Sequence, residues 1–156
     1  MEYKWYETGN PKTSLGYIWK NGQRVYSEKS DFTFDEDGHI TSQNMFLWDT
    51  IQNNWVNYKQ MNNIYDENGY DELFTYLKWN TELERWDKYY KELSDYNENG
   101  NLLEFTIWNG NENNNWEYFY KEVNTYNTND TLNNSYIAFW NTDLNDWLNY
   151  QTITNS

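Results

Sequence analysis

The chain has 156 residues, a net charge of -14 and no cysteine; 37% of it is hydrophobic, yet 21% is aromatic, with 10 Trp and 16 Tyr. That composition excludes a disulfide framework, a thiolate metal site and a Cys nucleophile, and no apolar run approaches the roughly 18 residues of a membrane span. The basic footprint of a phosphate-backbone binder is missing, so no direct nucleic-acid binding is expected.

Low hydrophobicity with high net charge commonly signals disorder. Here the rings, each able to bury roughly 150–250 Å², can build a core where aliphatic residues are scarce. No charged segment followed by an apolar one opens the chain, so no signal peptide is expected. Localisation stays open: cytoplasmic if Met1 is the native start, cell surface or secreted if an export signal was removed.

In chain order, the first landmark is the turn Tyr6-Glu7-Thr8-Gly9-Asn10, followed by Pro11 near a strand start and by Asn21-Gly22, the signal of a two-residue type I′ hairpin. Phe34-Asp35-Glu36-Asp37-Gly38 comes next, then Trp48 and Trp55. Tyr65-Asp66-Glu67-Asn68-Gly69 precedes Trp79 and Trp86; Tyr96-Asn97-Glu98-Asn99-Gly100 precedes Trp108 and Trp116. Tyr126-Asn127-Thr128-Asn129-Asp130, a degenerate copy, precedes Trp140 and Trp147. The paired Trp lie seven residues apart, except Trp108/Trp116 at eight. Asp49, Asn80, Asn109 or Asn141 follows the first Trp, and Tyr58, Tyr89, Phe119 or Tyr150 lies three residues past the second. From the turn glycine position to the next Trp is ten residues, except Gly100 to Trp108 at eight.

The period of 30–31 residues predicts five repeats in one domain, 1–156, at about 6–34, 34–64, 65–95, 96–125 and 126–156, after a leading half-unit. Each repeat reads as a β-hairpin, with Tyr, Phe, Trp, Thr and Ile between Asn/Asp/Gly clusters. Loops are expected at 49–54, 80–85, 109–115 and 141–146, and tight turns at 35–38, 66–69 and 97–100. The predicted fold is all-β: an antiparallel up-and-down meander of about ten strands, curled or closed into a barrel-like sheet. A two-layer sandwich is the competing architecture.

Counting outward from the Trp pairs assigns faces by alternation. Met45, Leu47, Val56, Tyr58, Ile64, Phe74, Tyr76, Tyr89, Leu93, Leu103, Phe105, Ile107, Phe119, Val123, Ile137, Phe139, Leu148 and Tyr150 form the expected core face, with Phe105 and Phe119 buried. The other face carries the eight Trp, then a polar band of Asn57, Lys59, Lys88, Glu92, Glu104, Glu122 and Asn124. Beyond the band come Leu73, Leu102 and Leu132 beside Tyr65, Tyr96 and Tyr126. A Trp row of this kind is either a cross-strand ladder that stiffens hairpins or a set of binding platforms.

Catalytic constellations are nearly absent. His39, the one histidine, sits beside a turn glycine, and G-x-S-x-G and H-E-x-x-H do not occur. Asp35-x-Asp37-Gly38 matches the opening of a calcium loop, but Phe46 stands where the twelfth-position Glu is required. No catalytic residue, metal or cofactor is expected.

The motif Tyr65-Asp66-Glu67-Asn68-Gly69 resembles the YD repeats of bacterial RHS-type proteins. Combined with the Trp pairs, it is similar to tandem repeats of secreted and surface proteins of Bacteroidetes, over about residues 6–150. The resemblance implies a hairpin-built, coiling antiparallel sheet and no catalytic residue. Two functions follow. One is a non-enzymatic binding or scaffolding module, with a protein or glycan on Trp48, Trp55, Trp79, Trp86, Trp108, Trp116, Trp140 and Trp147. The other, drawn from the net charge of -14, is a small acidic intracellular inhibitor or immunity protein that fills the basic groove of a toxin or nucleic-acid enzyme through Glu67, Asp71 and Glu72.

Overall fold

The computed structural model describes residues 1–154. Its strands are β1 (Glu2–Trp5), β2 (Pro11–Lys20), β3 (Gln23–Phe34), β4 (Ile40–Asp49), β5 (Asn54–Tyr65), β6 (Asp71–Asn80), β7 (Arg85–Tyr96), β8 (Leu102–Gly110), β9 (Trp116–Tyr126), β10 (Leu132–Asn141) and β11 (Asp146–Thr154). No helix occurs among the described residues. The strands hydrogen-bond in chain order in one antiparallel sheet, whose outer members are β1 and β11. The expected meander is therefore present, but it is neither closed into a barrel nor split into a sandwich. The chain divides into two compact units, Met1–Asn63 with Tyr76–Asp87, and Ile64–Thr75 with Lys88–Ser156. Residues 155 and 156 of the expected fifth repeat lie outside the described ones.

Asn and Asp side chains shape the turns, as their local hydrogen bonding dictates. Asp35 Oδ1 accepts from the Asp37 and His39 amides at 3.1 and 2.8 Å, and the Asp35 N–H donates to the His39 carbonyl at 3.1 Å. Asp66, Asn97 and Asn127 repeat the arrangement. The Gly38, Gly69 and Gly100 amides donate to the Asp35, Asp66 and Asn97 carbonyls at 3.3, 3.1 and 2.9 Å, so the tight turns fall at 35–38, 66–69 and 97–100 as expected. Gly38 and Gly100 take φ of 90° and 78°, a region that glycine enters without strain. Asp130 takes φ of 57° at the equivalent place. Its carboxylate is held by the neighbouring turn: Asn99 Nδ2 donates to both its oxygens at 2.9 Å, and Asn101 Nδ2 to Oδ1 at 3.1 Å. At the other hairpin ends, Asp49 Oδ1 accepts from Ile51 N and Gln52 N, and Asn80 Oδ1 from Glu82 N and Leu83 N.

The sequence reading missed a bulge in the second strand of the hairpins. Met45 pairs with Lys59 but Phe46 with Asn57, which leaves Tyr58 extra. In the same way Ser27, Phe119 and Tyr150 are the extra residues of β3, β9 and β11. The aromatic three places after the second Trp is thus a bulge marker, not a core residue: Tyr58, Phe119 and Tyr150 are 39%, 45% and 73% exposed. Past each bulge, strand parity flips. Lys59 joins the face of Met45, and Glu122 lies opposite Phe105. Val123 turns to the Trp side. The polar band assigned to the Trp face is therefore divided between both faces.

Neither face seals a conventional core. Among the described residues the buried hydrophobic side chain is Ala138, and the buried polar ones are Ser14, Ser30, Thr106, Asn124 and Ser135. Phe105 is half-buried, its ring 6.1 Å from Tyr120, while Phe119 lies on the edge of Phe139 at 5.8 Å. In chemical denaturation Phe105→Ala should cost about 2–3 kcal/mol, at or below the lower end of the roughly 3–5 of a sealed site. Phe119→Ala should cost about 0.5–1.5, the worth of an edge contact. Equal costs would contradict the bulge assignment.

The fourth hairpin is built differently. Its loop of residues 111–115 has the Asn-shaped form of the opposite turns: Asn111 Oδ1 accepts from Asn113 N and Asn115 N, and Asn114 takes φ of 58°. Gly110, not Trp108, pairs with Trp116. A Cβ on Gly110 would collide with the backbone carbonyl of Lys88, whose amide donates to Asn114 Oδ1 at 2.7 Å. Gly110→Ala should therefore destabilise by about 1–3 kcal/mol, read from urea melts. A neutral result would mean that the approach of β7 to this loop is looser than described.

Candidate functional site

Cross-strand aromatic pairs arise where alternation puts two rings on one face at one register. Three of the four expected Trp pairs form. The rings of Trp48/Trp55, Trp79/Trp86 and Trp140/Trp147 meet edge-to-face with centroids 5.0, 5.2 and 5.3 Å apart. The fourth does not: Trp108 sits opposite Tyr118, with ring centres 5.3 Å apart. The constant ten-residue spacing could have found this, because ten residues after Gly100 stands Gly110. Trp108 lies two residues deeper, where Tyr17 and Tyr26 pair at 4.9 Å in the first hairpin.

These inner pairs nest against the outer pair of the next hairpin. Tyr26 lies 5.2 Å from Trp48 and 5.4 Å from Trp55. Tyr118 lies 5.3 Å from both Trp140 and Trp147. Sequence reasoning passed over Tyr17, Tyr26 and Tyr118, which complete the clusters. All eight candidate Trp are half-buried, while Trp5 and Trp19, not among the candidates, are 60% and 76% exposed.

Two lysines join the aromatic face. Lys91 Nζ stands 3.9 Å from the ring centre of Trp108 and 5.6 Å from that of Trp116, and Lys88 Nζ stands 5.4 Å from Trp116. Burial, and then the Lys88 charge, hold the Lys91 ammonium below the ordinary lysine value. A cleft of about 420 Å³ lies beside Trp116, lined also by Glu117, Tyr118, Trp140, Thr142 and Asn145.

The expected acidic patch is partly assembled. Glu67 and Glu72 line an open groove of about 740 Å³ with Tyr65, Asp66, Leu93, Ser94, Asp95, Tyr96 and Glu104. Asp71 is exposed and not part of that lining. Burial first, and then the Asp71 charge, push the Glu92 carboxyl above the usual carboxylate range. His39 bonds to Asp35 through Nδ1 at 3.0 Å within its turn. No group of three or more His, Cys, Asp or Glu able to hold a metal occurs among the described residues.

No family model and no curated protein matches the chain. Among solved structures it is similar to a protein of unknown function from Bacteroides fragilis, at 14% identity and a TM-score of 0.54 over 83% of this chain and 92% of that one. Two DUF3836 family proteins, from Bacteroides vulgatus and Parabacteroides distasonis, align at 14% identity over 93% and 90% of this chain and 99% and 92% of theirs. Their TM-scores are 0.35 and 0.37. The first likeness is one of fold alone.

The raised Glu92 carboxyl sets a pH dependence. Its charge costs stability above its folded pKa, and the cost disappears as pH falls through that value to below the unfolded one, about 4.3. Glu92→Gln should raise the melting temperature at pH 7, and the gain should vanish near pH 3–4, below that unfolded value. A gain that persists in acid would trace to packing, not charge.

Proposed function

We propose that this chain is a non-enzymatic binding module whose partner, a protein or a glycan, seats on the aromatic face. The observation that carries this reading is the nesting of Tyr26 on Trp48/Trp55 and of Tyr118 on Trp140/Trp147, with every ring left partly open to solvent. Rigid, half-exposed aromatics bind at low entropic cost and dominate interfaces. A ladder needed only for stiffness would be served by isolated pairs within each hairpin. Clusters that bridge neighbouring hairpins make a wider platform.

The acidic groove supports a second reading, that of an inhibitor occupying a basic surface. Glu67 and Glu72 face one cleft together with Asp66, Asp95 and Glu104, a disposition that favours electrostatic steering.

One experiment separates them. The parent, Trp48→Ala, Trp140→Ala and a Glu67→Gln/Asp71→Asn/Glu72→Gln variant are immobilised and exposed to host extract and to a glycan array. The Trp variants should lose retained partner at least about tenfold. Their stability should fall by only about 1–3 kcal/mol, the worth of two ring contacts each. The carboxamide variant should bind as the parent does. Loss confined to the carboxamide variant, strongest at low salt, would favour the inhibitor.

A further inference from the structure

Trp116 differs from the other seven indoles of the face. Trp48, Trp55, Trp79, Trp86, Trp140 and Trp147 pack against a partner indole, and Trp108 against Tyr118. Trp116 has no ring against it among the described residues, because its cross-strand partner is Gly110. That glycine is imposed by the close approach of the Lys88 backbone. The same approach brings the Lys88 ammonium beside the bare indole, and Lys91 joins it from three residues further along β7.

Lys88 and Lys91 also lie within each other's field. The chain carries 25 acidic and 11 basic residues. Lys29, Arg85 and Lys121 each sit against a carboxylate, and Arg24 against that of Glu2. Lys88 and Lys91 have no carboxylate within ion-pairing distance among the described residues. They face indoles and each other, and their mutual repulsion depresses the Lys91 pKa after burial has done so. A pair of like charges kept together without a counter-ion is relieved by an anion. Beside it, the cleft of Trp116, Tyr118 and Trp140 offers ring surfaces, with Glu117, Thr142 and Asn145 as its polar lining; the Glu117 carboxylate leaves the ammonium pair as the part of the site that favours an anion. The cleft's volume of about 420 Å³ is in the range of small-ligand sites.

We infer that Trp116, Tyr118 and Trp140, with Lys88 and Lys91, form a site for a pyranose bearing an anionic substituent, a uronic acid or a sulfated sugar. The C–H face of the ring stacks on Trp116, and the acid group lies toward the two ammonium groups. An acidic peptide would satisfy the charges but leave the aromatic cleft empty, and a neutral sugar would do the reverse. This inference rests on the aromatic-face reading above and narrows it to one class of ligand.

The test is ligand-observed NMR titration of the full chain with trigalacturonate, its uncharged methyl ester, a sulfated galactan tetramer, its desulfated form and triglutamate. At least one anionic sugar should bind about tenfold more tightly than its neutral counterpart. Which of the two binds distinguishes uronate from sulfate. Lys88→Met/Lys91→Met should abolish that difference. Trp116→Ala should weaken both forms about tenfold. Since the alanine variant can perturb its hairpin, Trp116→Phe, which keeps a smaller ring, should give an intermediate loss at parental melting temperature. Equal affinity for charged and neutral sugars overturns the charge selection and leaves the aromatic-face reading standing. Triglutamate binding as tightly as the anionic sugars overturns the sugar assignment. If no sugar binds while the parent still retains a Trp48-dependent partner, the site is not a sugar site and the general reading survives. Loss of both would sink the two together.

Discussion

The structure depends on aromatic rings packed between neighbouring hairpins. With Ala138 the buried hydrophobic side chain among the described residues, stabilisation must come from many half-covered rings instead of a few sealed ones. Each cross-strand aromatic contact is worth about 0.5–1.5 kcal/mol. Their strength lies in the alternation of depth. A pair set two residues inward, Tyr17/Tyr26 or Trp108/Tyr118, leaves room for the outer Trp pair of the following hairpin to lean over it. Rings at one depth in every hairpin would instead compete for the same space along the row.

Turns and strands were legible because their chemistry is local. Asp35, Asp66, Asn97 and Asn127 announce turns through hydrogen bonds to amides two and four residues away, and no distant contact overrides them. The mid-strand bulge was hidden because a bulge is a matter of pairing between strands. Tyr58 and Phe119 look like ordinary strand aromatics until Met45 is seen opposite Lys59 and Ile107 opposite Tyr120. One missed residue reverses every face beyond it, which is why Lys59, Glu122 and Val123 were misplaced. In the fourth hairpin the eye follows Trp108, the more prominent residue, while register follows Gly110. The clusters around Tyr26 and Tyr118 were invisible for the same reason: alternation relates residues on one strand, whereas these rings come from successive hairpins.

The carboxylates of Asp66, Glu67, Glu72, Asp95 and Glu104 gather in one groove. Acids also stand among the rings: Glu117 lines the cleft of Trp116, Tyr118 and Trp140, and Asp87, next to Trp86, pairs with Arg85. An exposed aromatic row on a neutral chain would invite self-association. A net charge of -14 opposes it.

The tie between the turns at 97–101 and 127–131 bears on how such a chain can diverge. Asp130 occupies a left-handed position that its sisters fill with glycine, and two amides of the neighbouring turn, Asn99 and Asn101, hold its carboxylate there. The replacement is therefore conditional. Aspartate in this position is favoured by the facing amides, and Asn99 becomes hard to exchange for Asp once Asp130 is in place, since two carboxylates would then face each other. Substitutions at Asn99 and Asp130 are therefore coupled across a gap of 31 residues.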